Sequence, residues 1–133
     1  MRLEITRRSD LATRALLALT ADGGRMKAST LAEAVGTTSG FLSQAMTPLV
    51  AKGWVRSEPG PRGGYTARVD PAAVSVLEVI EAIEGRTDSG QCVLEDRPCG
   101  GATCALHHPW SIARERLLGE LAATPLSSLP APS

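Results

Sequence analysis

Thr30–Val50, TLAEAVGTTSGFLSQAMTPLV, carries two helical patterns in close succession, each behind its own candidate capping residue. Thr30 and Glu33 have the three-residue spacing of a capping box, and Leu31, Ala32 and Val35 recur at helical intervals before Gly36. The pattern predicts a short helix opening at Thr30 and closing at Gly36. Thr37, Thr38 and Ser39 offer a second N-cap, after which Phe41, Leu42, Ala45, Met46 and Leu49 form the apolar stripe of another helix. Two helices joined by a tight glycine-containing turn make a helix-turn-helix. Pro48 removes a backbone hydrogen bond from the second helix and crowds its preceding turn, so a kink or an early end is expected there.

On the C-terminal side of this pair, Trp54, Val55 and Arg56 read as a strand, Pro59–Gly64 as a turn, and Tyr65 with Thr66 as the returning strand. The hairpin has the character of a wing. On the N-terminal side, Leu11, Ala12, Ala15, Leu16 and Leu19 give an amphipathic helix over Ser9–Leu19, which the turn signal Asp22-Gly23-Gly24 ends. Past Asp70 and Pro71, Ser75 and Glu78 repeat the capping-box spacing before a helix whose Val76, Val79, Ile80 and Ile83 share one face; Gly85 stops it. The expected class is therefore mainly α with a small β wing. Residues 1–70 are expected to form a winged helix-turn-helix DNA-binding domain, and residues 71–123 the segment that follows from it.

Within that second segment, CVLEDRPCGGATCALHHPW from Cys92 to Trp110 holds all three cysteines and both histidines of the chain. Three thiols, with His107 three residues after Cys104, supply soft and borderline ligands of the kind that zinc and iron–sulfur clusters take. Cysteine without a ligand is often a small buried hydrophobe, and a disulfide would strand one of the three. Neither alternative accounts for the clustering in a stretch whose Pro98, Gly100 and Gly101 leave little core to bury a thiol in, so a metal or cluster centre is the leading expectation. His108, directly before Pro109, has the plainer role of capping the last helix or facing water.

Pro109 marks the start of that last helix, which extends through Ala122 with Trp110, Ala113, Leu117 and Leu121 as its stripe and charged residues on its other faces. A long helix at the end of a small domain needs a partner for such a stripe, and a second copy of the chain is the expected one. It is thus a C-terminal dimerisation helix. Residues 124–133 are rich in Pro and Ser and are expected to fray as a flexible tail.

With 133 residues the chain can build one modest core. It has no apolar run long enough to span a bilayer, and its start is charged, so a cytoplasmic protein with no membrane partner is expected. Reduced thiols in that compartment favour metal binding or redox sensing over structural disulfides. The zero net charge conceals an asymmetry: residues 1–70 carry ten Arg or Lys against six Asp or Glu, and residues 71–133 carry four against eight. A basic front half suits a polyanion.

Taken together, these residues resemble the winged helix-turn-helix transcription regulators of the IscR and NsrR type, the Rrf-two family. The resemblance covers nearly the whole chain and rests on the opening MRLEITRRSDLATRALLAL, on GGYTA from Gly63 to Ala67, on LEVIEAIEG from Leu77 to Gly85, and on CALHHPW. It implies a homodimer that binds a pseudo-palindromic double-stranded DNA operator and carries an iron–sulfur cluster on Cys92, Cys99 and Cys104. In the IscR type a histidine three residues after the last cysteine completes a 2Fe-2S site, and His107 matches it; in the NsrR type a carboxylate near the partner's N-terminus completes a 4Fe-4S site, and Asp10 matches that. Six residues separate Cys92 from Cys99 and four separate Cys99 from Cys104, where the family usually has five and five. Cluster type and fourth ligand are both open, and a Cys3His zinc site is a further alternative. Asp10 also has the ordinary role of an acidic residue in a helix's first turn.

Short polar side chains on a recognition helix reach base edges and phosphates in the major groove. The candidates are Thr38, Ser39, Ser43 and Gln44; Gln44 can pair with adenine through N6 and N7, whereas the hydroxyls serve more often as caps or phosphate contacts. Arg62 at the wing tip suits the minor groove, and Arg7, Arg8, Lys52 and Arg56 suit phosphates. Pro59 stands where the IscR type often has a wing arginine, with Arg62 three residues later. The expected function is a DNA-binding regulator, a repressor, that senses iron–sulfur status, redox state or nitric oxide as cluster loss, oxidation or nitrosylation frees the loop. Two rivals stand beside it: a zinc-stapled winged-helix protein, and a thiol-dependent enzyme in which a cysteine near His107 acts as nucleophile. No CxxC pair, phosphate loop or carboxylate dyad supports the enzyme, and no small-molecule substrate is expected.

Overall fold

The computed structural model describes residues 5–86 and 105–130. In chain order the elements are α1 (Arg7–Asp22), β1 (Arg25–Met26), α2 (Ala28–Val35), α3 (Ser39–Ala51), β2 (Val55–Glu58), β3 (Gly64–Ala67), α4 (Val76–Glu84), α5 (His107–Ala123) and a 3-10 turn at Leu126–Ser128. The architecture is helical with one antiparallel sheet of order β1-β3-β2. The class expected from the sequence is the class found.

Local chemistry sets most boundaries. Thr6 caps α1 by accepting from the Ser9 amide, and Gly23, at φ 75°, ends that helix in the left-handed region. The α2–α3 turn is closed by Gly36, also left-handed, and by the Thr37 amide donating back to the Ala32 carbonyl at 2.9 Å. Thr38 is the N-cap of α3, accepting from the Phe41 amide at 3.2 Å. At α4 the capping box is complete: the Glu78 amide donates to the Ser75 hydroxyl at 3.1 Å and the Ser75 amide to the Glu78 carboxylate at 2.7 Å.

Four expectations are corrected. α2 begins at Ala28 rather than Thr30; Lys27 is its N-cap without a side-chain hydrogen bond, so Thr30 lies inside the first turn. α3 does not end at Pro48 but continues to Ala51. The Lys52 amide still donates to the Pro48 carbonyl at 3.1 Å, so the helix closes its last turn past the proline. Pro109 is the third residue of α5, not the first; amides in the first turn have no intrahelical acceptor, so a proline there removes nothing. The stretch after Thr124 is packed at its start. Leu126 is fully buried, its amide donates to the Val74 carbonyl at 2.9 Å, and the Val76 amide donates to the Thr124 carbonyl at 2.9 Å.

A single core joins these parts. Leu11, Leu16 and Leu19 of α1 meet Leu31 and Val35 of α2, Leu42, Met46 and Leu49 of α3, and Val79 and Ile83 of α4. Tyr65 and Val55 close it from the sheet, and Leu126 from the C-terminal turn. Hydrophobic burial of this kind, at about 25 cal/mol per Å² of apolar surface, is what holds the short helices in place.

Candidate nucleic-acid interface and metal centre

α3 buries Leu42, Ala45, Met46 and Leu49, and the helical period then turns Ser39, Gly40, Ser43, Gln44 and Thr47 outward, all exposed. The structure thus brings Ser39, Ser43 and Gln44 onto one solvent face. Thr38 is also exposed; its hydroxyl oxygen accepts from the Phe41 amide as the cap, which leaves its O–H as a donor. Thr47 belongs to the same face and was absent from the expected set. Its position four residues after Ser43 was the available signal, and its hydroxyl donates to the Ser43 carbonyl at 3.0 Å.

Beside the start of α3 stands the wing. A cleft of about 460 Å³ separates the two, lined by Lys27 and Ser29 at the start of α2, Ser39 of α3, and Ser57, Glu58 and the turn residues of the hairpin. Gly63 holds the turn in shape: a Cβ there would lie 2.0 Å from the Glu58 carbonyl oxygen. Arg62 is exposed on the turn. Arg56 is exposed but paired, its Nε 3.4 Å from Glu58 Oε1, while Arg25 Nη1 lies 3.0 Å from Glu58 Oε2. Arg25 was not among the expected contacts.

The remaining expected cations lie elsewhere. Lys52 lines a separate hollow of about 350 Å³ with Trp54, Glu78, Glu81 and Arg86. Arg7 is the first residue of α1 and exposed. Arg8 ties α1 to α4, its Nη2 donating to the Ile83 carbonyl at 2.9 Å. Next to it the fully buried Ser9 donates its hydroxyl to Glu84 Oε2 at 2.6 Å. The first turn of α1 and the last turn of α4 therefore cap each other. Glu84 stands at the unfavourable end of its own helix dipole and at the favourable end of its neighbour's. The chain leaves this junction through Gly85, at φ 85°, toward the cysteine segment.

Cys92, Cys99 and Cys104 lie outside the described residues. Of the expected fourth ligands, His107 is the first residue of α5 and exposed, and Asp10 is exposed in the first turn of α1 with its carboxylate 3.7 Å from Arg14 Nη1. Among the described residues no group of three or more His, Cys, Asp or Glu is placed to hold a metal ion. Three residues after His107, on the same side of α5, the buried Nε1 of Trp110 has no hydrogen-bond partner among the described residues. α5 itself has no buried residue. Its expected stripe is divided: Leu121 packs on the core while Leu117 is 39% exposed, as is Ile112 at 40%.

Residues 5–132 match the model of the Rrf2 family, described as iron-dependent transcriptional regulators. The chain belongs to the Rrf2 family. The match spans the helix-turn-helix, the wing and the cysteine segment alike. An HTH-type transcriptional regulator of Neisseria meningitidis is 30% identical over 113 residues, covering 85% of this chain and 76% of that protein. IscR of Yersinia enterocolitica is 30% identical over 117 residues, covering 86% of this chain and 71% of its own. Among solved structures, CymR, the global cysteine regulator of B. subtilis, superposes with a TM-score of 0.77 at 21% identity, covering 95% of each chain. IscR of T. potens does so at 0.74 and 20% identity, covering 94% of this chain and 84% of that one. These two show the fold. Family and relatives make this Rrf2 protein a DNA-binding transcription regulator and not an enzyme, which removes the thiol-nucleophile reading. Among the described residues no helix is long and apolar enough to cross a membrane.

Proposed function

We propose that this Rrf2 regulator is a homodimeric, cytoplasmic repressor that reads its operator through α3 and the wing and is controlled by an iron–sulfur cluster on Cys92, Cys99 and Cys104. The observation that carries the reading is the position of those thiols. In chain order they fall between α4, whose end is tied to α1 by Arg8 and Ser9, and α5, of which His107 is the first residue. The donor set fits the group: three thiols and an imidazole, the imidazole on the first residue of a helix, whose dipole there favours an anionic centre. Trp110 adds an indole N–H that has no acceptor among the described residues. When bound, a cluster supplies a centre that reacts with oxidants and nitric oxide; the chain's own residues hold it and link it to α1 and α5.

His107 and Asp10 are the two candidates for the fourth ligand. Pairing of two copies is supported by α5, which leaves Ile112 and Leu117 uncovered within one chain, together with Leu106 at 47% exposure. On the DNA side, Gln44 is assigned to a base edge, Ser39, Ser43 and Thr38 to phosphates or bases, and Arg62 to the minor groove. Arg7, Lys52 and Arg56 are assigned to phosphates; Arg8 takes that role only by leaving the Ile83 carbonyl.

The test is analysis of iron, zinc and acid-labile sulfide, with the visible spectrum, in protein purified without oxygen. Iron and sulfide with charge-transfer absorption, lost in Cys99→Ala, support the proposal. His107→Ala and Asp10→Ala then show which fourth ligand changes the spectrum. Stoichiometric zinc without sulfide overturns it in favour of a zinc-stapled regulator.

A further inference from the structure

Glu58 is an anomaly on a surface meant for a polyanion. Arg25 of β1 and Arg56 of β2 are both register partners of Thr66 on β3, so the three stand in a row across the sheet. Strand alternation places Glu58, two residues after Arg56, on the same face, while Val55 and Tyr65 are buried on the other. Glu58 sends one carboxylate oxygen to each arginine, at 3.0 Å and 3.4 Å. It is also the one acid among the residues lining the cleft between the wing and the starts of α2 and α3.

Stability does not explain this arrangement. The side chains of Arg25, Arg56 and Glu58 are 47%, 59% and 35% exposed, and exposed pairs of this kind contribute between nothing and about 1 kcal/mol. The same weakness makes the pairs exchangeable: a phosphate oxygen can replace a carboxylate oxygen on either guanidinium at little loss. Toward DNA the carboxylate has two effects of one sign. It repels phosphates that approach the cleft, and it occupies two cations that would otherwise attract any duplex.

We infer that Glu58 is a specificity-determining residue of the DNA interface, holding Arg25 and Arg56 away from phosphates until an operator that accepts α3 and the wing brings its backbone close enough to take them over. The inference rests on α3 and the wing being the DNA face. It adds Arg25 to the contacts and assigns discrimination to a residue that touches no base.

The experiment is equilibrium binding of Glu58→Gln to a selected operator and to random duplex between about 0.05 and 0.3 M salt. Glutamine keeps the size and removes the charge. Affinity for random duplex is expected to rise about threefold to tenfold, and the salt dependence to steepen by about one to two in log–log slope. Operator affinity is expected to rise less, so the operator-to-random ratio falls. Arg25→Met provides an independent reading that does not depend on how the first variant folds: it is expected to weaken operator binding more than random binding. Glu120→Gln on α5, the same charge change away from the wing, is expected to leave the ratio unchanged. An unchanged ratio in Glu58→Gln, or equal losses in Arg25→Met, overturns the inference. If Gln44→Ala and Arg62→Ala also leave operator affinity unchanged, the interface itself is wrong; if they weaken it, only the role of Glu58 fails.

Discussion

Replacing Ser9 with Ala removes the only buried polar side chain among the described residues, and with it the hydrogen bond that joins the first turn of α1 to the last turn of α4. A hydrogen bond to a charged group is worth about 1.5–3 kcal/mol net. Two features reduce that figure here. Glu84 is exposed, so its freed carboxylate rehydrates, and alanine is the better helix former by about 0.5 kcal/mol. The balance is a loss of about 1 kcal/mol, or a fall in Tm of about 3–5 °C for a chain of this size. Arg8 still holds the Ile83 carbonyl, so the junction weakens without opening. A double-mutant cycle with Glu84→Ala, read by urea denaturation followed by circular dichroism, isolates the pair; a coupling of about 1 kcal/mol is expected. Additivity within about 0.3 kcal/mol would show that the two helix ends do not cap each other, and would remove the proposed link between the cysteine segment and α1.

Other perturbations test other parts. Leu126→Ala opens a cavity in the core and is expected to destabilise the chain by about 2–4 kcal/mol in the same denaturation assay; a loss below about 0.5 kcal/mol would mean that the C-terminal turn is not packed. Gly64→Val places a Cβ 2.2 Å from the Met26 carbonyl oxygen at φ 146°, so the β1–β3 pairing should break and operator affinity drop at least tenfold with the helices retained. Wild-type affinity would show that the wing is dispensable. Gln44→Ala should relax base preference at one operator position, by about 1–3 kcal/mol in a base-by-base competition assay; uniform weakening across all sequences would reassign Gln44 to phosphate.

The helices were legible wherever periodicity and caps agree. Thr38 and Ser75 fill their cap positions as the sequence implies, and Gly23, Gly36 and Gly85 end their helices. The start of α2 was misplaced because Thr30 and Glu33 imitate a capping box while the true N-cap, Lys27, makes no side-chain bond that sequence could reveal. β1 has two residues, too few for any alternation, and exists only because β3 pairs with it. Composition misled at the C-terminus: Pro125, Ser127 and Ser128 suggest fraying, but burial of Leu126 outweighs them.

The candidate DNA face was half legible. Ser39, Ser43 and Gln44 follow from the helical period, which also implied Thr47. The pairing of Arg25 with Glu58 spans 33 positions and is set by sheet register, which no local pattern reports. Arg8, which seemed a phosphate contact, is drawn to a carbonyl 75 positions away. The cysteines stand out by residue type and spacing alone, but they lie outside the described residues, so their role as ligands rests on the sequence.

Control of DNA binding by the cysteine segment makes operator affinity depend on the cluster. The most direct test is operator affinity, measured without oxygen, for the reconstituted protein and for the same preparation after iron removal, in wild type and in Cys99→Ala. At least a tenfold difference between the two wild-type forms is expected, about 1.4 kcal/mol of coupling, and none in Cys99→Ala. Equal affinities for both wild-type forms, or a difference that persists in Cys99→Ala, would contradict that control.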